Sequence, residues 1–596
     1  MFNKIVNAAI GNRLLVFLAL CVVAAISAIA IPKLNLDAFP DVTNVQVAIN
    51  TEAPGLAAVE VEQLITYPIE AVMYALPDVD QVRSISKTGL SGVTVVFKEG
   101  VDIYFARQLV FERLQAAKEL IPEGIGLPEM GPNTSGLGQV YQYLLAASPE
   151  SGLDSMALRS LNDWIVKLLI LPVDGVTEVL SFGGDVRQYQ VNLNPNKLLA
   201  YQLDQQQVVS ALEENNTNVG GWYMNRGQEQ LVIRGTGWFN AGKPGLQEIA
   251  QTPLKTISGT VVTIADVAEV SLGSEIRQGA ATMSVKDAQG NITSLGEVVT
   301  GVVLKRIGAN TKQTIDGITS RIQLINQALP DGVTFEPLYD QADLITKAVN
   351  TVVDALLLAF VFIVVVLALF LMNLRATLLV LLSIPISIGL ALCVMAWFGL
   401  SANLMSLGGI AVAIGMLVDG SVVMVENIFR HLTQPSTQSH SNVERIKLAA
   451  QEVARPVFFA ALIILVVFMP LFSFEGVEAK LFQPMAISIM LAIIAAVIVA
   501  LVIVPALAVY LFANGVTLRR SVVLAPLDKA YKLCLGWAMN VRKTVIGIAG
   551  VLVVIAGVLL PQLGTEFVPE LEEGTINLRV TLAPSASLDT ALAVAP

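Results

Sequence analysis

The sequence predicts a polytopic α-helical membrane protein that carries a large water-exposed α/β region. Three observations predict it. The 596-residue chain is 54% hydrophobic and 14% charged, with mean hydropathy +0.66; soluble domains hold about 25% charged and about 45–50% apolar residues. Its apolar residues concentrate in runs long enough to span a bilayer, which takes about 20 residues. Its acidity sits in one block: residues 33–350 hold 22 Lys+Arg and 35 Asp+Glu, a net −13 in a chain whose total is −11. These numbers exclude a disordered chain, a basic nucleic-acid binder and a small disulfide scaffold. Cys21, Cys393 and Cys534 are the only cysteines and none falls in 33–350, so that block holds no disulfide framework or Cys-based metal site. His431 and His440, the only histidines, share one polar loop, which argues against soluble-enzyme zinc chemistry.

Seven spans are expected. Residues 14–32 and 355–374 are the first two. The uncharged stretch Ala376 to Val418 is too long for one helix, and Gly399 and Asn403 divide it into spans near 377–398 and 405–428. Pro456–Phe474, about 484–512 and Thr544–Thr565 complete the set. Lys4 and Arg13, then Arg375, then Arg430, Arg445, Lys447 and Arg455, then Arg519, Arg520, Lys529, Lys532, Arg542 and Lys543 all fall on one side of this arrangement. The positive-inside rule makes that side cytoplasmic. The acidic block and the Glu475–Lys480 loop then lie outside. A cleaved signal peptide is a rival reading of the first span, given Ala28-Ile29-Ala30.

An internal repeat weighs against that rival. IPKLNLDAFPDV (31–42) and LPQLGTEFVPEL (560–571) align without a gap. Pro32/Pro561, Pro40/Pro569, Leu34/Leu563, Asp37/Glu566 and Asp41/Glu570 match. Ala53-Pro54 and Ala583-Pro584 follow one residue out of step, after the strand-like VQVAIN and INLRVTL. Both copies follow an apolar span, and tandem repeats of this kind are common in secondary transporters. The second copy begins near 540, so the sequence reads as one whole copy and the first part of another.

The block 33–350 reads as compact α/β sequence. VQVAIN (45–50) alternates like a strand, Pro54-Gly55 is a turn, and Ala57–Ala75 is helical. QVRSIS and VTVVF are strands around Gly89, and Asp102 can cap a helix to Leu120. Strand–helix–strand–strand–helix is the order of a split βαβ, ferredoxin-like unit. A second unit starts at VYQYLL (140–145), with a helix at 155–170, a strand at 176–181, a helix at 311–329 and VTFEPLY (333–339) leading to the second span. The more polar stretch 185–275 reads as an insertion.

The fourth span carries the chemistry. Asp419 lies about 14 residues into it among apolar neighbours, and Glu426 follows at i+7 on the same face. A membrane-embedded carboxylate costs a few kcal/mol or more and commonly marks a proton or ion pathway; the plainer reading is a structural salt bridge. Glu426 and Asn427 lie nearer the inner interface, where solvated or capping roles compete. No Lys or Arg falls within the embedded parts of the spans, so a balancing cation must come from elsewhere. Gly408, Gly409, Gly415 and Gly420 permit close helix approach. Met405, Met416 and Met424 cluster in the same span; thioethers suit Cu(I) or Ag(I), and apolar filling is the plainer use. Pro470, Pro484 and Pro505 are expected to kink or start spans five and six.

AFPDVTNVQVAINTEAPG (38–55), ITYPIE (65–70), SLGGIAVAIGMLVDGSVVMVEN (406–427), FMPLFSFEGVEAKLFQPMAISI (468–489) and GTEFVPELEEG (564–574) resemble the resistance–nodulation–division transporters, above all their heavy-metal efflux branch. The resemblance implies a homotrimeric inner-membrane permease, driven by the proton motive force with no cofactor. It implies a periplasmic adaptor and an outer-membrane channel as partners, and heavy-metal cations as cargo. It divides the chain into 1–32 (cytoplasmic start and first span), 33–350 (periplasmic porter region with a docking insertion at about 182–275), 351–512 (spans two to six), 513–543 (cytoplasmic linker), 544–562 (span seven) and 563–596 (start of a second porter region). Asp419 matches the family's proton-relay Asp, and Glu426-Asn427 its VEN end. Zinc-type members carry a further Asp six residues before the relay Asp; here that position is Ala413, a pattern closer to monovalent-metal or other branches. The family's relay Lys and its copper-type metal methionines belong to a second half beyond Pro596, which the resemblance implies is needed for function. A multidrug permease and a non-transporting remnant or half of a split pump are the competing readings.

Overall fold

The structure is a computed structural model. It describes residues 1–37, 39–148, 151–257, 259–277, 279–287, 289–433, 441–512, 524–564, 576, 578–583 and 585–594. Expectations resting on His440, Arg519, Arg520, Pro584 and the repeat residues Glu566, Pro569 and Glu570 lie outside the described residues.

Among the described residues seven helices are long and apolar enough to cross a membrane. They are α1 (Arg13–Ala30), α2 (Gln341–Leu371), α3 (Leu374–Trp397), α4 (Leu404–Thr433), α5 (Asn442–Phe468), α6 (Gly476–Leu511) and α7 (Arg542–Leu559). Several run further than the hydropathy indicates. α2 starts at Gln341 because Asp340 caps it, its carboxylate accepting from the Ala342 amide at 2.7 Å. α5 starts at Asn442 under a Ser441 cap. Hydropathy marks where a helix meets lipid, whereas hydrogen bonds and caps decide where it ends. Gly399, at φ +67°, ends α3. Asn403 and Ser406 form a reciprocal cap at the start of α4, each side chain accepting from the other's amide at 2.9 Å. Pro470 lies in a 3₁₀ turn after α5, Pro484 inside α6, and Pro505 just beyond a π turn (Val499–Ile503) in α6.

α4 sits centrally against α2, α3, α5 and α6. Met424, Val425 and Ile428 of α4 share a core with Ala449 and Ala450 of α5 and Val499 and Val504 of α6. A further helix, Phe2–Gly11, escaped the hydropathy reading because it is amphipathic. It buries Val6, Ala9 and Ile10 and packs along α5, with the Phe2 and Phe458 rings 4.8 Å apart. The basic ends of the helices gather at this end of the bundle: Arg13, at the start of α1, lies over the Tyr510 ring near the end of α6.

The extramembrane region holds two subdomains of one topology. The first comprises β1 (Gln46–Glu52), a helix over 58–73, β2 (Val79–Lys87), β3 (Leu90–Phe97), the helix Ile103–Leu120 and β4 (Pro128–Met130), with sheet order β2-β3-β1-β4. Asp102 caps the second helix as expected, accepting from the Tyr104 and Phe105 amides at 2.9 Å. Alternate residues of β1 and β3 (Val47, Ile49, Val93, Val95) pack on Ile65, Ile69, Val110 and Leu114. The second comprises β5 (Thr134–Ala147), a helix over 155–170 and β6 (Val176–Phe182), followed by an insertion. The insertion carries β7 (Arg187–Leu193), β8 (Val219–Arg226), β9 (Glu229–Gly235), β10 (Pro253–Ile257), β11 (Thr260–Thr263), β12 (Ala268–Ser274), β13 (Thr282–Lys286) and β14 (Ile292–Glu297), paired β7–β12, β8–β9, β10–β11 and β13–β14. It therefore continues past residue 275 to the polar hairpin β13–β14. β15 (Val299–Arg306), the helix Thr311–Ala328 and β16 (Val333–Asp340) close the sheet in the order β16-β5-β15-β6.

In both subdomains the first helix contains a π turn, Glu62–Thr66 and Asn162–Val166, and each buries a polar side chain against the sheet. The Thr66 hydroxyl lies 2.8 Å from both Ser86 and Ser91 hydroxyls. Asn162 accepts from the Tyr143 hydroxyl at 2.7 Å and donates to Ser181 at 2.8 Å.

Two polar ties fasten this region to the bundle, at the end opposite the Phe2–Gly11 helix. Leu36 pairs with Ala402 in a parallel bridge, and the Ala402 amide donates to Asn35 O at 2.8 Å. Beside it the Asp37 carboxylate accepts from Lys305 Nζ (3.3 Å) and from the Thr311 hydroxyl, while Asn310 donates to Leu34 O. The second tie is Lys480 of α6, which donates to Thr43 O and Asn44 Oδ1, both at 3.0 Å, and faces Glu99 at 3.7 Å.

Candidate functional site

The sequence placed its candidate carboxylates on α4, and the structure gives Asp419 a specific setting. Asp419, Gly420 and Val423 of α4, Pro456 and Val457 of α5, and Ala496 and Ala500 of α6 are among the residues around a cavity of about 160 Å³. Among the described residues on its wall Asp419 is the one ionisable side chain. Among the described residues it forms neither an ion pair nor a hydrogen bond, and its side chain is accessible from the cavity. Among the described residues no Lys, Arg or His side chain forms an ion pair with it. A carboxylate held there by hydrocarbon alone can shed its solvation cost by taking up a proton or by meeting a cation.

Helix packing sets the dimensions of the site. A Cβ on Gly409 would lie 2.4 Å from Ser488 Oγ and 2.8 Å from Met485 O, so glycine is what lets α4 approach α6. A Cβ on Gly420 would lie 3.1 Å from Val457 of α5. Gly408 and Gly415 face open space, with no atom within 4 Å of a Cβ. Only two of the four glycines named by the sequence are therefore at helix contacts.

Glu426 and Asn427 separate. Glu426 is exposed, on the same face as Asp419. Asn427 turns inward, is 5% exposed, and donates to Ala449 O at 2.9 Å and Glu452 Oε2 at 3.2 Å. Glu452 also receives His431 Nε2 at 2.7 Å and lies 3.6 Å from Arg430. In sequence Glu452 carries no distinguishing mark and His431 reads as a loop residue. Their pairing depends on α4 lying against α5; the one local signal was a Glu one turn ahead of Pro456 at the edge of a span.

The three methionines do not converge. Met416 lies at the cavity beside Asp419. Met424 is fully buried in the α4–α5–α6 core. Met405 is near the other end of α4, and nineteen residues from Met424 is about 28 Å along a helix. The residue type suits a soft metal, but the geometry brings no two of the three to one point. Among the described residues no group of three or more His, Cys, Asp and Glu side chains could hold a metal ion.

Comparison with known proteins agrees with this architecture. The chain matches the AcrB/AcrD/AcrF family over residues 5–595. It is 39% identical to protein HelA of Legionella pneumophila, covering 99% of this chain and 56% of that protein. It is 38% identical to the cobalt-zinc-cadmium resistance protein CzcA of Cupriavidus metallidurans, covering 99% and 55%. With the cation efflux system protein CusA of Escherichia coli the identity is 33%, covering 98% and 56%. A crystal structure of a heavy metal efflux pump superposes with a TM-score of 0.83 at 32% identity, over 99% of this chain and 55% of that one. The chain thus spans about half the length of the relatives it matches. With its bundle, its paired α/β subdomains and this match along nearly its whole length, the chain belongs to the AcrB/AcrD/AcrF family and has the fold of a resistance–nodulation–division permease.

Proposed function

We propose that this chain forms the first half of an inner-membrane permease that exports heavy-metal cations in exchange for protons. The observation that carries the reading is Asp419, a carboxylate on a membrane helix facing an apolar cavity, with no ion pair among the described residues. Alternate protonation and release at such a group couples a proton gradient to helix movement, and no cofactor is required. The metal cargo is argued from the relatives, two of which are named for cation efflux or for resistance to cobalt, zinc and cadmium. The balancing cation for Asp419 belongs to the counterpart half, supplied in the same polypeptide or in a second one. By the positive-inside rule the basic helix ends support a cytoplasmic Phe2–Gly11 helix and periplasmic subdomains.

The permease works as a homotrimer with a periplasmic adaptor and an outer-membrane channel. The hairpin β8–β9 supports assembly: every residue of it is exposed, and Trp222 is 81% exposed. A two-stranded ribbon without a core of its own is marginal alone and gains order from a neighbour.

The test is metal tolerance in a host stripped of its own exporters, with this chain expressed together with its counterpart half. Growth on elevated zinc, cobalt, cadmium, copper or silver salts, lost in Asp419→Asn, is expected. Tolerance that survives Asp419→Asn, or tolerance to lipophilic drugs alone, refutes the reading.

A further inference from the structure

The Asp419 cavity stands one helical turn from a second polar cluster. Val423 lines the Asp419 cavity, and Asn427 lies one turn beyond it on α4, turned inward to α5. On the facing helix, Pro456 lines the cavity and Glu452 lies one turn before it. Pro456 has no N–H, so it cannot donate to the Glu452 carbonyl one turn earlier. Below this turn Asn427 holds the Glu452 carboxylate, and His431 shares the same carboxylate oxygen at 2.7 Å. Glu452 is 52% exposed and His431 17% exposed by side chain, whereas Asn427 is buried, so the cluster runs from a buried amide one turn from the cavity wall to a solvent-accessible carboxylate.

Arg430 lies 3.6 Å from Glu452, and Arg445 donates to His431 O at 2.6 and 3.1 Å. The Phe2–Gly11 helix, which packs on α5 and carries Lys4, touches this region through Asn7, which accepts from Gln451 at 2.7 Å. α6 adds only apolar residues to the cavity wall.

We infer that the Glu452–His431 pair is the proton port of the Asp419 site on the helix-end side that bears Arg430 and Arg445, with Asn427 as the residue that positions it. In this step the O–H bond of protonated Asp419 breaks and its proton passes through water admitted to the cavity. The proton then binds Glu452 or His431 and leaves to bulk solvent, and Asp419 is left as a carboxylate. The inference rests on the reading of Asp419 as the proton carrier.

The test uses the full chain in membrane vesicles of either orientation, with the pH of the two faces set independently. Dicyclohexylcarbodiimide, which attacks protonated carboxyls in apolar surroundings, is the probe, and mass spectrometry of the Asp419 peptide is the readout. Wild-type labelling is expected to rise several-fold when the face bearing Glu452 and His431 is acidified and to stay low when that face is made alkaline. Glu452→Gln keeps an acceptor for Asn427 but cannot carry the proton; it is expected to flatten that response, Glu452→Asp to restore it, and His431→Gln to weaken it. A structural role for Glu452 alone would change labelling equally at every pH and would overturn the port. So would an unaltered response in the Glu452→Gln/His431→Gln double variant, or a wild-type response confined to the opposite face. Absence of labelling under every condition instead removes Asp419 as a proton carrier and takes the port with it.

Discussion

Replacing Lys305 by Met should loosen the tie between the second subdomain and the membrane bundle. Lys305 and Asp37 are 13% and 21% exposed by side chain, with Nζ 3.3 Å from the carboxylate. Removing one partner of a fully buried pair costs about 3–5 kcal/mol. Here some solvent reaches both groups, and Asp37 keeps the Thr311 hydroxyl; the expected cost is therefore roughly 2–3 kcal/mol. If that energy is lost from local opening, amide exchange at the tie should speed up roughly 30- to 150-fold. The reporter is the Ala402 amide, which donates to Asn35 O from the loop between α3 and α4. Hydrogen-exchange mass spectrometry of the detergent-solubilised chain measures it, with β1–β3 amides as an internal reference. The Lys305→Met/Asp37→Asn double variant should cost less than the sum of the singles by about 1–2 kcal/mol. Exchange at Ala402 unchanged within about twofold in Lys305→Met would show that the ion pair does not hold the strap.

Three further outcomes follow from the packing. Gly409→Ala places a Cβ 2.4 Å from Ser488 Oγ and 2.8 Å from a backbone carbonyl, and should cost about 1–3 kcal/mol; Gly408→Ala, facing open space, should not, as thermal-shift measurements on the two variants can decide. Asn162→Leu leaves the buried Tyr143 hydroxyl without its 2.7 Å acceptor and should lower stability by about 1–3 kcal/mol, whereas Asn162→Leu/Tyr143→Phe should recover much of it in the same assay. Burial first, and then the charge of Asp340, push the Tyr141 phenol up to about 12. Its neutral form is favoured in the fold, so its stabilisation is complete below about pH 10 and falls as pH rises through the folded value, by roughly 2–3 kcal/mol in all. Tyr141→Phe should reduce the alkaline loss of the second subdomain's exchange protection while leaving it unchanged near neutral pH.

The parts legible in the sequence are those decided by local pattern. Asp102 announces a helix because an N-cap needs only its own next few amides. The alternation in VQVAIN announces a half-buried strand, and the uncharged runs announce helices of membrane length. What stayed hidden depends on tertiary contact or on a signal hydropathy does not carry. The first turns of α2 and α5 are polar and are set by Asp340 and Ser441. The Phe2–Gly11 helix is amphipathic and is recognised only against α5. At the site, Asp419 stood out because a charge in an apolar run is conspicuous. Glu452 did not, because a Glu at the water boundary is ordinary until Asn427 and His431 meet it. The methionines share a helix but not a place, since one-dimensional clustering does not tell which face each residue takes.

The shared topology of the two subdomains carries a consequence for how the chain folds. In the first, only residues 88–89 separate β2 from β3; in the second, residues 183–298 separate β6 from β15. Closing the longer connection as a flexible loop would cost roughly 3–4 kcal/mol more. The antiparallel pair β7–β12, with Arg187 opposite Ser274, shortens that connection to residues 183–186 and 275–298 and removes roughly 1 kcal/mol of the penalty. The insertion should therefore act as a splint that forms before the sheet it interrupts. Pulse-labelled refolding would then show β7–β12 amides protected ahead of those joining β6 to β15, with the first subdomain, whose hairpin closes locally, ahead of both.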